Sequence, residues 1–182
     1  MNIKRISFSE LKNWKECPYR HKLIYIDKIP NFEGNEYTAF GTAIHFVCEK
    51  AIPSESLDPI EIFVKSFEEE LKTLEDQGKV LDQKLVSEMR MQAKPICNQL
   101  IPAVKDHFGS FEVISVEEEL LEPITEFESK GRHFKGFIDM VIKTSDDKYH
   151  IIDWKSCSWG WNRNKKSDPM TNYQLTFYKN YF

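Results

Sequence analysis

Lys135–Lys155 reads KGFIDMVIKTSDDKYHIIDWK, and this stretch decides the fold. Two runs rich in Val, Ile and aromatic residues flank Thr144-Ser145-Asp146-Asp147-Lys148, which has the composition of a turn. A hairpin folded about Asp146 sets Asp139 opposite Asp153, with Cβ atoms roughly 4.5–5.5 Å apart on one sheet face. Lys155, two residues beyond Asp153, shares that face because side chains alternate along a strand. Ile138, Met140, Ile142, Ile152 and Trp154 on one side, and Phe137, Val141 and Ile151 on the other, predict strands buried from both faces. Asp139, Asp153 and Lys155 are then charges on a buried element, costly unless paired or coordinated. Two facing carboxylates repel unless a cation lies between them, so the pattern points to a metal.

Composition bounds the surroundings of that hairpin. A chain of 182 residues, 41% hydrophobic and 30% charged, predicts one globular domain over 1–182 with a real core. A net charge of −4 gives no global sign of a polyanionic partner, so any nucleic-acid site must be a local patch. No apolar run is long enough for a membrane helix, and MNIKRISFSE lacks the apolar core of a secretory signal. Cys17, Cys48, Cys97 and Cys157 are scattered without a CxxC pair. That spacing argues against zinc and for reduced thiols in a cytoplasmic protein.

Upstream of the hairpin the chain reads as helical, over 1–108. Ser7-Phe8-Ser9-Glu10 fits a capping box opening a helix with Leu11 and Trp14, interrupted at Cys17-Pro18 and resuming over Tyr19–Ile26. Phe40, Ile44, Val47 and Ala51 form one face of a helix from about Ala39 to Ile52, with His45 beside that face. By itself His45 reads as an ordinary packed or surface histidine. Asp58-Pro59 starts a helix running to near Gly78. A long pattern from Leu81 to about His107 follows, in which Pro95 and Pro102 predict a kink or a split.

The sheet and the chemistry are expected over 109–182. Phe111–Leu121 alternates as a strand, Gly131 sits in a turn, and Ser156–Ser167 is a loop carrying Trp159, Trp161, Arg163, Lys165 and Lys166. Asp168-Pro169 opens a last helix, which stops uncapped at Phe182 and so reads as truncated. Helices, then strands, then a helix predict a mixed α/β domain with a central sheet flanked by helices and a helical cover from the first half.

A carboxylate pair on adjacent strands suits Mg²⁺ or Mn²⁺, which prefer oxygen ligands. Such an ion can activate water against a phosphodiester, and a lysine in the same site can orient the water or stabilise developing charge. Gly136-Phe137-Ile138-Asp139 followed by Ile151-Ile152-Asp153-Trp154-Lys155 resembles the PD-(D/E)xK nuclease superfamily. It looks most like the RecB-like exonuclease branch, which includes CRISPR-associated and AddB-type nucleases. The first acid lacks a preceding proline, and Gly-x-Ile-Asp stands in its place, as in that branch. Gly41-Thr42-Ala43-Ile44-His45 resembles the branch's N-terminal helix motif, which makes His45 a further metal ligand. Gln174 and Tyr178 match its Q-x-x-x-Y element, implying substrate contact or bracing of Lys155. Ser9-Glu10-Leu11 through Cys17-Pro18-Tyr19-Arg20 resembles its opening segment.

The resemblance implies a restriction-endonuclease-like core with Asp139, Asp153 and Lys155 catalytic, and His45, Asp139 and Asp153 binding the metal. A glutamate from the preceding strand is also implied; Glu117 is the best match, with Glu118 and Glu119 adjacent. Some relatives carry an iron–sulfur cluster, and Cys17 stands where the first ligand would be. With no cysteine after Cys157, residues 1–182 do not complete such a set, and Cys17 would join one only if residues beyond 182 exist. Arg163, Lys165 and Lys166, interleaved with Trp159 and Trp161, read either as phosphate and base contacts or as a solvated loop, and Arg20, His21 and Lys22 are open in the same way. The expectation is a Mg²⁺- or Mn²⁺-dependent deoxyribonuclease acting on single-stranded DNA or DNA ends, with a role in repair or recombination. The alternatives are a structure-selective endonuclease, or a non-catalytic DNA-binding subunit of a larger complex.

Overall fold

The computed structural model describes residues 4–30, 33–125, 131–157 and 160–182, with the side chains of residues 164 and 165 outside the description. The order is β1 (Lys4–Ser7), α1 (Phe8–Glu16), α2 (Pro18–His21), a π-helical turn (Lys22–Ile26), α3 (Glu36–Ala51), α4 (Pro59–Asp76) and α5 (Gln83–Phe108). Then come β2 (Phe111–Pro123), β3 (Arg132–Thr144), β4 (Tyr149–Ile152), α6 (Arg163–Lys166) and α7 (Pro169–Tyr181). The described sheet has the order β1-β3-β2, with β4 also paired to β3. β1 runs parallel to β3 and β4 antiparallel to it, so the fold is mixed α/β with a central mixed sheet and flanking helices.

The chain divides into a central unit (Glu33–Val116 and Asp139–Ser156) and a terminal unit (Met1–Phe32, Glu117–Ile138 and Cys157–Phe182). The central unit is held by one hydrophobic core. Small residues on α3, namely Ala39, Ala43 and Ala51, bring its backbone close to α4, whose Phe63, Phe67, Leu71 and Leu74 are buried at helical spacing. Phe63 and Phe67 stack at 5.2 Å, and Phe40 meets Phe63 edge-on at 5.5 Å. Val86, Met89, Ala93, Cys97 and Val104 of α5 and Met140 and Ile142 of β3 complete the core. Each large side chain buried this way contributes on the order of 1.5–3 kcal/mol.

Local chemistry sets the helix ends. The Asn35 carboxamide oxygen accepts from the N–H of Tyr37 and of Thr38, both at 3.1 Å, and Thr38 Oγ1 accepts from Asn35 N–H at 2.8 Å. That reciprocal cap starts α3 at Glu36, before the Ala39 expected from its apolar face. Asp58, Asp82 and Asp168 cap α4, α5 and α7 through backbone N–H groups two residues on. The split expected in α5 does not occur: the helix runs unbroken through Pro95 and Pro102. Both prolines are exposed, and so are Met91 and Asn98, whose carbonyls lose their helical donors on a solvent-facing side.

The terminal unit is built on rings. Phe134 of β3 stacks on Phe177 at 5.3 Å and on Tyr181 at 4.7 Å, and Phe177 meets Phe8 at 6.1 Å. β1 lies in the region expected to be wholly helical, with Lys4–Ser7 in register with Arg132–Lys135. The capping box at Ser7 is half formed. Ser7 Oγ accepts from Glu10 N–H at 3.1 Å, but the Glu10 carboxylate turns to His21 Nε2 at 3.0 Å instead of reaching back. The expected loop over 156–167 contains the short helix α6.

Candidate active site

The β3–β4 hairpin closes on Thr144–Lys148, where Thr144 N–H donates to the Lys148 carbonyl at 2.9 Å and Asp147 takes φ 60°. The register pairs Met140 with Ile152, Val141 with Ile151, Ile142 with His150 and Lys143 with Tyr149. Carried one residue further, it sets Asp139 against Asp153. Burial differs from expectation on one face. Ile138, Met140, Val141 and Ile142 are fully buried, but Phe137 is 43% exposed. The Lys135 ammonium lies 4.9 Å from the Phe137 ring and supplies a polar cover there.

Four of the expected site residues come together in the central unit. His45 Nδ1 lies 3.6 Å from Asp139 Oδ2, and Lys155 Nζ lies 2.6 Å from Asp153 Oδ2. The carboxylate side chains are 15% (Asp139) and 8% (Asp153) exposed, against 32% for His45 and 41% for Lys155. The acids thus form the floor, and the two basic side chains stand toward solvent. Burial raises the Asp139 carboxyl above the ordinary carboxylate range; the Asp153 charge adds to this, while the Trp154 N–H, His45 and Lys155 oppose it.

Two positioning contacts were not legible from residue types. The backbone N–H of Trp154 donates to Asp139 Oδ2 at 2.6 Å, fixing that carboxylate across the open end of the hairpin. The Trp154 side chain packs against the core, which anchors the donor. The second contact concerns Gly41, one helical turn before His45. A Cβ there would come within 3.0 Å of Ser156 Oγ, so the glycine admits the segment after Lys155 close to α3. A glycine four residues before the histidine leaves one helix face open for the strand-end segment while presenting the imidazole to Asp139.

The remaining candidates belong to the terminal unit. Gln174 Nε2 donates to the Tyr178 hydroxyl at 2.9 Å, and Tyr178 is buried. A Cβ on Gly136 would stand 2.8 Å from Tyr178 Cε1, so this glycine gives the tyrosine ring its seat on β3. Two motifs that looked independent in the sequence are one packing unit. Inward and outward residues alternate along β2 until Ser115 and Val116, and Glu117 then takes φ 50° and is exposed. Glu118 is half-buried, and Glu119 pairs with Lys135 at 3.1 Å. Arg163 and Lys166 are exposed on α6; the side chain of Lys165 and the whole of Trp159 lie outside the described residues.

A sequence model described as the PD-(D/E)XK nuclease superfamily matches residues 5–181. The chain belongs to that superfamily. Its members are generally nucleases that use divalent metals, typically Mg²⁺, with DNA as substrate. No individually curated protein matches the chain. Among the described residues no helix is long and apolar enough to cross a membrane.

The donor set fits a hard divalent ion in its chemistry: two carboxylates and an imidazole, with excess negative charge in a half-buried pocket. As placed, no three His, Cys, Asp or Glu side chains among the described residues converge closely enough to hold one. Lys155 stands against Asp153 and the Trp154 N–H against Asp139, so the site is in an ion-paired form.

Proposed function

We propose that the chain is an active deoxyribonuclease of the RecB-like kind, an exonuclease working on single-stranded DNA or DNA ends. The observation that carries this reading is the meeting of His45, Asp139, Asp153 and Lys155 at the open end of the hairpin. Asp139, Asp153 and His45 are the ligands we assign to Mg²⁺ or Mn²⁺, which would supply charge neutralisation at the scissile phosphate and a more acidic water. The chain's own residues do the rest. Trp154 N–H keeps Asp139 Oδ2 in one orientation, so this one ligand is held in place before an ion arrives. The Lys155 ammonium donates to the non-bridging oxygens as charge builds on them, and its flexible stem lets it follow the phosphate. Burial of the two acids excludes bulk water and strengthens each of these interactions.

Glu117 is the further acid we assign, with Glu118 and Glu119 as its neighbours. Gln174 and Tyr178 are assigned to substrate contact or to bracing Lys155, with Tyr178 buried against Gly136. Arg163, Lys165 and Lys166 are assigned to phosphate contacts. The four free cysteines support a cytoplasmic setting, and the resemblance to the RecB-like branch supports a role in repair or recombination.

The test is incubation with labelled linear single-stranded, linear duplex and circular DNA in Mn²⁺ or Mg²⁺. Shortening of linear single strands with circles spared is expected; cut circles would instead assign an endonuclease. Tight DNA binding with no metal-stimulated cleavage would make the chain a binding subunit. Cleavage that survives Asp153→Ala or Lys155→Ala sinks the assignment of the site.

A further inference from the structure

The two acids of the site are held in different ways. Asp139 Oδ2 takes a backbone N–H from Trp154, a donor that cannot leave while the hairpin is folded. Asp153, the more buried of the two, is faced by the side-chain ammonium of Lys155 at 2.6 Å. A buried carboxylate requires a compensating charge, and breaking such a pair without replacement is strongly unfavourable. Lys155 is 41% exposed and carries its charge on a four-carbon stem, so it can leave Asp153 without disturbing the core.

We propose that Lys155 is the placeholder cation of the metal-free site, and that an arriving divalent ion displaces it from Asp153. This rests on the assignment of Asp139 and Asp153 as metal ligands. An ammonium and a divalent ion contending for one carboxylate repel strongly at close range in a low-dielectric setting. The lysine therefore opposes metal entry, and the metal in turn frees the lysine for a phosphate. Loading the ion and arming the lysine are then one event, and the metal-free protein holds its lysine away from substrate. The pair also keeps the two acids from facing each other uncompensated before the ion arrives.

Two measurements without DNA test this. Calorimetric titration with Mn²⁺ should give tighter binding for Lys155→Met, by about fivefold or more, since an exposed pair gives at most about fivefold and Asp153 is largely buried. Acetylation of lysines read by mass spectrometry should rise at Lys155 when saturating Mn²⁺ is added, and stay level at Lys12. The rise should vanish in Asp139→Asn, which keeps the Lys155–Asp153 pair but loses a ligand. Unchanged or weaker Mn²⁺ binding by Lys155→Met, with circular dichroism showing it folded, overturns the inference, as does flat labelling at Lys155. If the wild-type protein binds Mn²⁺ and Lys155 does not respond, only the placeholder fails. If the wild-type protein binds no Mn²⁺, the metal-site assignment fails with it.

Discussion

The two ends of the β3–β4 hairpin carry the same residue types and put them to opposite use. At the turn, Asp146 pairs with Lys148 at 2.5 Å and Asp147 with Lys143 at 2.7 Å, so two acids meet two lysines in water. At the open end, Asp139 and Asp153 share one lysine and lie largely out of solvent. The Lys148 and Thr144 hydrogen bonds pull the Asp146 carboxyl down to about 2, whereas burial pushes Asp139 up. Acid content alone does not make a site. What distinguishes the open end is a deficit of positive charge in a place where water cannot supply the screening.

That contrast can be broken most decisively by activity. Lys155→Ala should lower the cleavage rate by about 10²–10⁴ if the lysine acts on the reacting phosphate, while Lys148→Ala should leave it within about twofold, as expected of an exposed pair. Equal losses at the two ends would erase the distinction. Next in size is the response to metal. Mn²⁺ at about a hundred times its dissociation constant should stabilise the wild type by about 2.7 kcal/mol, visible as a raised thermal midpoint. The shift should disappear in Asp139→Ala and persist in Asp146→Ala.

Smaller effects of opposite sign are expected in the metal-free protein as pH varies. Asp139 holds its proton more tightly folded than unfolded, so its contribution is full below the ordinary carboxylate range and is lost as pH rises through its folded value. Asp139→Asn should therefore raise the melting temperature at about pH 7 and lose that advantage near pH 4, the ordinary aspartate value. Asp146 behaves the other way: its contribution is present above the ordinary range and lost as pH falls through about 2. Asp146→Asn should lower the melting temperature slightly at neutral pH, with a difference that shrinks in salt because the pair is exposed. Parallel pH profiles for the two variants would show that burial does not separate the two ends.

The hairpin was legible because its signals are local. Alternating apolar residues fix the faces, Thr144–Lys148 fixes the turn, and together they fix the register that sets Asp139 against Asp153. β1 was not legible, since four residues with one apolar side chain give no periodicity, and their partner strand lies at Arg132–Lys135. A kink or split is expected of α5 at Pro95 and Pro102; the helix is not split, and both prolines lie on its exposed side, where the carbonyls they leave without donors are open to solvent. The approach of His45 to Asp139 came from the resemblance, not from spacing. The hold of Trp154 on Asp139 leaves no trace in residue type, because any residue but proline offers an N–H there.

The ring stack of the terminal unit bears on how the chain is made. Phe8 meets Phe177, and Phe134 meets Phe177 and Tyr181, so the unit draws together segments from the first, third and last parts of the sequence. Synthesis delivers these segments in order, and contacts between distant segments must wait for the last of them. The helix that carries Phe8 is therefore among the last parts of the unit to find its place. Until Phe177 has been made, Phe8 lacks this partner and its ring stays uncovered on that side.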